Sequence, residues 1–488
     1  MKRDVARGSL LGVAGQGWHL LTALVLYAYL ARHFGPGLFG EWRVVLSVLA
    51  WLEVFVTAGL VRVATKAISE TPDDEAVIAR ATYTGQIAVG VALFLIVQVV
   101  AAPIAHLLAN DSLTLLLRVS ALDIPLYAVF MAASSVALGT RRFERQAVAW
   151  FVYATSKAVL IGAAVVMGFG VSGALVGNAL SSLVGFAAVF VSSRGHGFGV
   201  ALVRRKLSEM ARPAVPFLTI GLVEGVELNA DLWLVSAIVA NGVLVGLYAS
   251  ATALAEIPVF LFLGLNRVIF PSFANARAQG DDKAAADYAR QAIRLALIVT
   301  TLGVTLIVGA GRQVLELIYS SEYAAAFVPL VLLIVAGSGR TVRGVCTEIL
   351  LAEDRRGPVF GVLLGNVVLE IALVTALAVR FGLLGAAVGA ALGAILAAAW
   401  GSLLIRKLIG VRPLVTLARC TIAGLIAGGG LFVLAPATLL TPVALIVAGM
   451  VFAAILAVLG EFSAEDIASL KASVRKSGAR TAKGDSSA

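Results

Sequence analysis

Glu224, Glu227 and Asp231 stand at i, i+3 and i+7 inside one apolar stretch, a spacing that puts them on one stripe of a helix. Four more ionisable residues, Glu53, Lys157, Glu256 and Glu370, fall near the middle of other apolar stretches. If these stretches cross a bilayer, each charge costs on the order of 2.5–3.5 kcal/mol at the centre, and such groups normally face a bundle interior or a wet cavity. Carboxylates placed there can take a proton or a coupling cation, and Lys157 can face a cavity. They can also pair with one another, Lys157 with one of the acids, and simply hold helices together. Asp231 lies further along its span, where an interfacial position is the competing reading.

A second set is cationic. Arg340 and Arg343, at i and i+3, and Arg267 lie towards the same end of their spans. The planar guanidinium binds phosphate oxygens in pairs, which suits a pyrophosphate group. Arginines at an inner interface also snorkel to lipid phosphates, and that reading stands beside the first. Cys346 and Cys420 lie in or beside apolar runs, and His19, His33, His106 and His196 are far apart in sequence. No metal-ligand spacing emerges, so no metal is assigned, and no cofactor either.

The elements that must position these charges follow from composition. The 488 residues are 60% hydrophobic and 14% charged, with a mean hydropathy of +0.98, against an apolar share of roughly 45–50% in soluble domains. The chain reads as an all-α integral membrane protein. Apolar runs of about 20 residues, enough to cross ~30 Å of hydrocarbon, predict fourteen transmembrane helices at 9–31, 42–61, 82–108, 113–137, 148–168, 171–193, 213–239, 246–270, 291–309, 325–350, 357–379, 382–405, 415–436 and 440–460. The first is read as a retained span, being too long for a signal peptide and lacking a cleavage site. Asp123 lies in the fourth span and Lys157 in the fifth.

The net charge of +10 is a matter of topology. With both termini cytoplasmic in an inner membrane, most of the 38 Lys and Arg residues face inwards, among them Lys2, Arg3, Arg7, Arg141, Arg142, Arg145, Arg204, Arg205 and Lys206. Arg32, Arg43, Arg118, Arg312 and Arg380 fall on outer segments. This bias points to anionic inner-leaflet lipid and not to nucleic acid. The loop 70–80, through Thr71-Pro72-Asp73-Asp74-Glu75, reads as the capped start of a short surface helix.

The second half repeats the first. Gly170, Gly173, Gly177 and Leu180 recur as Gly382, Gly385, Gly389 and Leu392, 212 positions on. Arg141-Arg142 is matched by Arg355-Arg356, and Gly40-Glu41-Trp42 by Gly246-Leu247-Tyr248. Six spans per half keep both copies in one orientation, a parallel repeat of two lobes around a central cavity. The expected organisation is an N-terminal segment 1–8, an N-lobe 9–193, a basic linker 194–212, a C-lobe 213–405, two added spans within 406–460, and a tail 461–488. The tail is expected to hold an amphipathic helix with Ile467, Leu470 and Val474 on one face, then a disordered end.

The pattern of six plus six plus two spans resembles the polysaccharide flippases of the multidrug/oligosaccharidyl-lipid/polysaccharide exporter superfamily. So do Phe34-Gly35-Pro36 with Gly40-Glu41-Trp42, the Arg212-Pro213 to Pro216 entry, Asp231 followed by Val245-Gly246-Leu247-Tyr248, and the two glycine-spaced repeats. The resemblance implies export of a glycan carried on a polyprenyl pyrophosphate, from the inner to the outer leaflet, by alternating access. It also implies coupling to H+ or Na+ in some relatives, and other polysaccharide assembly proteins as neighbours. On that reading Arg267, Arg340, Arg343 and Lys157 meet the pyrophosphate, while Glu224, Glu227, Glu53, Glu256, Glu370 and Asp231 serve ion coupling.

A multidrug exporter of the same superfamily is the nearest alternative, since mid-membrane acids would suit a cationic drug. A glycan polymerase or ligase would be expected to carry a large outer loop, and the longest outer connection here, Ala310 to Ala324, is short. Gly12, Gly15 and Gly17 lie in an apolar helix with no strand before them, and no Walker motif is present.

Overall fold

The structure is a computed structural model that describes residues 2–190, 200–409, 414–434 and 437–461. The start of the basic linker with His196, and the tail with Ile467, Leu470 and Val474, lie outside these residues. The described chain is helical almost throughout: α1 (Lys2–Thr57), α2 (Leu60–Glu70), α3 (Glu75–Leu107), α4 (Leu113–Ser120), α5 (Asp123–Gly139), α6 (Phe143–Val166), α7 (Gly170–Phe190), α8 (Val200–Val239), α9 (Gly242–Ala255), α10 (Ile257–Ala278), α11 (Asp282–Ile318), α12 (Phe327–Ala352), α13 (Arg356–Ile409), α14 (Leu414–Leu434) and α15 (Thr441–Val458). This is a multi-pass, all-α membrane protein. In lipid each backbone N–H and C=O must be satisfied within its own segment, and helices do that.

Among the described residues the predicted spans fall largely on helix, and the helices divide the runs differently. Eleven stretches are long and apolar enough to cross a membrane, by length and composition, among the described residues. Two of these are of double length: Gly357–Arg406 holds two predicted spans, and Gly17–Glu70 holds the second predicted span and most of the first. Their breaks are at Gly35 (φ 67°) and Gly382 (φ 58°), where glycine enters the left-handed region at no steric cost. The seventh predicted span corresponds to α8, which carries three carboxylates. α8 also begins before the expected entry at Pro213 and runs through Pro213 and Pro216.

The short surface helix expected after Thr71 is not separate. Pro72–Asp74 forms one 3-10 turn and α3 starts directly at Glu75, since no breaker stands between Glu75 and the apolar run that follows. The turn is tied to the linker by Lys206, whose Nζ lies 2.9 Å from Asp74 Oδ2. These are two segments that the charge bias assigns to one side.

Left-handed turns recur through the two halves. Gly170 and Gly382 both have φ 58°, and Arg141 (φ 59°) is answered by Asp354 (φ 53°), beside the matched Arg355-Arg356. The matched Gly170 and Gly382 thus share a backbone conformation as well as a residue type.

By internal contacts the chain forms two compact units. One holds Met1–Ala255, Leu315–Ala336 and Arg355–Ala397, and the other Glu256–Val314, Gly337–Asp354 and Ala398–Ala488. In the first unit α9 packs on the corner of α1. A Cβ added to Gly40 would lie 2.7 Å from Gly246 N, and one on Gly246 would overlap the Pro36 carbonyl. The two matched segments of the repeat therefore meet backbone to backbone. α8 docks beside them, with Trp233 Nε1 donating to Ser47 Oγ at 2.9 Å and Trp51 Nε1 to the Leu222 carbonyl at 3.3 Å.

In the second unit α14 and α15 pack on α11. Gly424 and Gly428 admit Thr305, and Phe452 and Leu456 close a core with Ile298 and Leu302. Buried Glu461 fastens the end of α15, accepting from Thr416 Oγ1 at 2.9 Å and Arg419 Nη1 at 3.0 Å.

Candidate functional site

A polar cluster inside the first unit is assembled from four helices. The second leg of α1 carries Glu53, the first turn of α5 carries Asp123, α6 carries Tyr153 and Lys157, and α7 carries Asn178 and Ser182. Asp123 is the first residue of α5, where the positive end of a helix dipole favours a carboxylate. α7 comes close because Gly177 has no side chain, and a Cβ there would stand 2.9 Å from Ile161 N on α6. Asn178 follows Gly177 directly, and Ser182 is one turn on.

Asp123 is 1% exposed. One of its oxygens accepts a hydrogen bond from Asn178 Nδ2, and the other accepts from Ser182 Oγ at 2.5 Å. Half-buried Glu53 and Lys157 both lie near enough to Asp123 to act on it electrostatically. Lys157 Nζ donates to Tyr153 Oη at 3.5 Å and stands 5.6 Å from the centre of that ring.

The level of these groups follows from helix geometry. Tyr127 on α5 and Tyr153 on α6 have ring centres 6.0 Å apart. Asp123 is one turn back from Tyr127 and Lys157 one turn on from Tyr153. Since α5 and α6 are consecutive and antiparallel, Asp123 and Lys157 come to the same level. The first leg of α1 lines the far side of α6: Trp18 stacks on Phe151 at 4.8 Å and donates from Nε1 to Thr155 Oγ1 at 3.0 Å, and His19 lies within the field of Lys157. An acid pair beside an ammonium group, in an apolar bundle, can handle a proton, a cation or an anion.

Of the residues singled out by sequence, the structure brings Glu53 and Lys157 into this one cluster. The expected stripe on α8 is split. Glu227 and Asp231 are each 2% exposed, whereas Glu224 is exposed. The reason is the packing line of α8, which runs through Gly221 and Gly225 against Val54, Ala58 and Trp51 and leaves Glu224 beside it. Asp231 is buried and accepts from Tyr248 Oη at 3.0 Å and from the Leu232 amide at 2.8 Å. Glu370 is buried in α13, where Asn366 Nδ2 donates to Oε2 at 3.4 Å. Glu256 sits at the break between α9 and α10, with its carbonyl accepting from Phe260 N. Arg340 and Arg343 lie on α12 in the second unit, Arg343 buried and Arg340 half-buried. Arg267 is on α10, and its side chain lies outside the described residues.

Sequence reasoning noted Asp123 without giving it a role and passed over Tyr153, Asn178 and Ser182. A usable signal was there: polar residues four apart, Tyr153 with Lys157 and Asn178 with Ser182, in runs otherwise apolar. Among the described residues no group of three or more His, Cys, Asp or Glu could hold a metal ion.

Residues 29–328 match the family model described as polysaccharide biosynthesis protein. The succinoglycan biosynthesis transport protein ExoT of Rhizobium meliloti (strain 1021) is 25% identical over 294 residues, which are 59% of this chain and 57% of that protein. The chain thus spans little more than half the length of that curated relative. Among solved structures, the lipid II flippase MurJ in an inward closed conformation has a TM-score of 0.75 at 13% identity, covering 92% of this chain and 98% of that one. An inward-facing multidrug resistance MATE family transporter of the MOP superfamily has a TM-score of 0.71 at 16% identity, covering 80% and 94%. At such identities the likeness is one of fold.

Proposed function

The chain belongs to the polysaccharide biosynthesis protein family, and we propose that it flips a polyprenyl-pyrophosphate-linked oligosaccharide from the inner to the outer leaflet of the cytoplasmic membrane, by alternating access, with both termini cytoplasmic. The observation that carries this reading is the polar cluster of Asp123, Asn178, Ser182, Tyr153 and Lys157, with Glu53 beside it, set among apolar helices where ionisable groups are otherwise costly. The names of the succinoglycan transport relative and of the lipid II flippase with the shared fold support the same cargo class.

On this reading Lys157 meets a phosphate oxygen from the interior of the first half, and Arg267, Arg340 and Arg343 meet the pyrophosphate at the cytoplasmic mouth. Glu53 is the foremost coupling group, with Glu224, Glu227, Glu256, Glu370 and Asp231 as further candidates for a proton or sodium ion. The two six-helix lobes are the moving parts, and the two added spans lie outside them. Anionic inner-leaflet lipid neutralises the basic linker, and other polysaccharide assembly proteins are the expected neighbours.

The test is a lipid extract from cells depleted of the protein, with membrane sidedness probed by an impermeant oxidant. A carrier-linked glycan that accumulates and stays protected until the inner leaflet is opened is the expected result. The same glycan on the outer face would point to a polymerase or ligase. No accumulation, together with new sensitivity to cationic drugs, would move the protein to multidrug export, the activity named for the solved transporter that shares its fold.

A further inference from the structure

Away from the polar cluster, the first unit holds a cavity of about 250 Å³. Its walls come from the start of the second leg of α1, the α3–α4 turn and the α8–α9 turn. The floor is aliphatic, made by the buried Val44, Leu108, Leu113 and Val245. The rim is polar, with Glu41, Asn110 and Asn241, and no Lys, Arg or His lines it. At ~30 Å³ per water the space equals about eight waters, room for one six-membered sugar ring. Exposed Ala109, Ala240, Asn241 and Gly242 form the mouth. On the topology proposed above, that mouth opens to the outer side.

The rim is fixed from within the protein. Glu41 Oε1 accepts from Asn110 Nδ2 at 3.2 Å and from Ser112 Oγ at 2.8 Å. Ser236 Oγ donates to the Leu108 carbonyl at 2.9 Å and ties the α8–α9 turn to the α3–α4 turn. Asn241 Oδ1 accepts from the Leu244 amide at 3.1 Å and so caps α9. Two rim groups then have no partner among the described residues: Glu41 Oε2, an acceptor, and Asn241 Nδ2, a donor. Hydroxyls both donate and accept, so a pair of them can satisfy both groups.

Other ligands fit this chemistry less well. Ca2+ takes roughly six to eight oxygens, and the single carboxylate here already spends one oxygen on Asn110 and Ser112. An anion would meet Glu41 with no cation on the rim to offset it. A purely apolar molecule would bury Glu41 Oε2 and Asn241 Nδ2 without partners. A pyranose has C–H groups on its faces and hydroxyls at its edge, which matches an aliphatic floor under a polar rim.

We propose that this cavity is a sugar site. It takes one uncharged pyranose unit that is already across the membrane, with a ring face on the aliphatic floor and hydroxyls on Glu41 and Asn241. Its assignment to the exported glycan rests on the flippase reading.

The experiment is saturation-transfer NMR on the full-length protein in nanodiscs, free of alkyl-glycoside detergent. The probes are the methyl β-glycosides of glucose, galactose and N-acetylglucosamine, with methyl β-D-glucuronide as the charged counterpart. At least one neutral glycoside should bind, and the glucuronide should bind about tenfold more weakly than the glucoside. E41Q keeps an acceptor for Asn110 and Ser112, and N241D keeps the cap on α9. Each should weaken glycoside binding by about five- to tenfold, the difference between a charged and a neutral hydrogen bond or the loss of one donor, with thermal melts unchanged. The exchanged pair, E41Q with N241D, again offers one carboxylate and one amide, and hydroxyls turn to suit, so binding should return to within about threefold of wild type. No binding of any neutral glycoside, equal binding of the glucuronide, wild-type binding in both single variants, or displacement of the glycoside by CaCl2 would overturn the sugar site. The lipid-extract test fails separately. Glycoside binding without accumulation of a carrier-linked glycan would uphold the cavity and overturn its link to the cargo, whereas accumulation without glycoside binding would uphold the flippase and overturn the cavity.

Discussion

Where the first half of the chain places Tyr153 and Lys157, the second half places Asn366 and Glu370. The register comes from glycine packing. A Cβ on Gly177 would lie 2.9 Å from Ile161 N and from Leu160 C, and one on Gly389 would lie 2.7 Å from Val374 N and 2.8 Å from Leu373 C. Leu160-Ile161 and Leu373-Val374 thus hold the same place. Lys157 stands four residues before Ile161, and Glu370 four before Val374. Each is bonded to a residue one turn earlier, Lys157 to Tyr153 at 3.5 Å and Asn366 to Glu370 at 3.4 Å. The packing device is the same in both halves and the charge is opposite. Backbone contact through a glycine leaves little latitude, because any side chain must displace main chain. An i, i+4 polar pair can change sign and still satisfy itself.

The comparison can be broken most severely at the shared device. Gly177→Leu and Gly389→Leu should each lower stability by roughly 1–3 kcal/mol through overpacking, and equal losses in thermal melts of the detergent-solubilised protein would show that both halves depend on it alike. Next comes the divergent pair: K157M should weaken binding of a polyprenyl pyrophosphate by about tenfold, the loss of one charge-assisted hydrogen bond, read by equilibrium binding at low pH. A smaller effect is expected at the matched turns. Gly170→Ala and Gly382→Ala place a Cβ in the left-handed region and should cost about 1 kcal/mol each, again equally in melts. Smallest is E370Q, which should change pyrophosphate affinity by about twofold or less, the scale of an indirect charge effect. A tenfold loss there would mean that both halves grip the anion and that opposite charge does not divide the labour.

The broad outline was legible because hydrophobic length and charge bias speak directly to the bilayer. Among the described residues the predicted spans lie largely on helix, and the matched Gly170 and Gly382 share a backbone angle. The helix breaks were less legible. Gly35-Pro36 reads as a loop in sequence, yet a single left-handed residue is enough to turn α1, so helix resumes at once. Rotation about each helix axis was not legible at all. Glu224 and Glu227 are three positions apart and were placed on one face, but Gly221 and Gly225 set the packing line and left Glu224 outside it. Asp123 shows the same limit from the other side. Its significance depends on Asn178 and Ser182, more than fifty residues away, and on Gly177 letting α7 approach.

The corner of α1 also sets a schedule for synthesis. Gly40 leaves the ribosome 206 residues before Gly246, the backbone it packs against. At ~5–20 residues per second, that corner stays uncovered in the insertion machinery for roughly ten to forty seconds. A bulky residue at Gly246 would act late, yielding a chain that is fully inserted but unassembled, full-length on a gel and open to protease, whereas a break within α3 to α7 would fail before the second half exists.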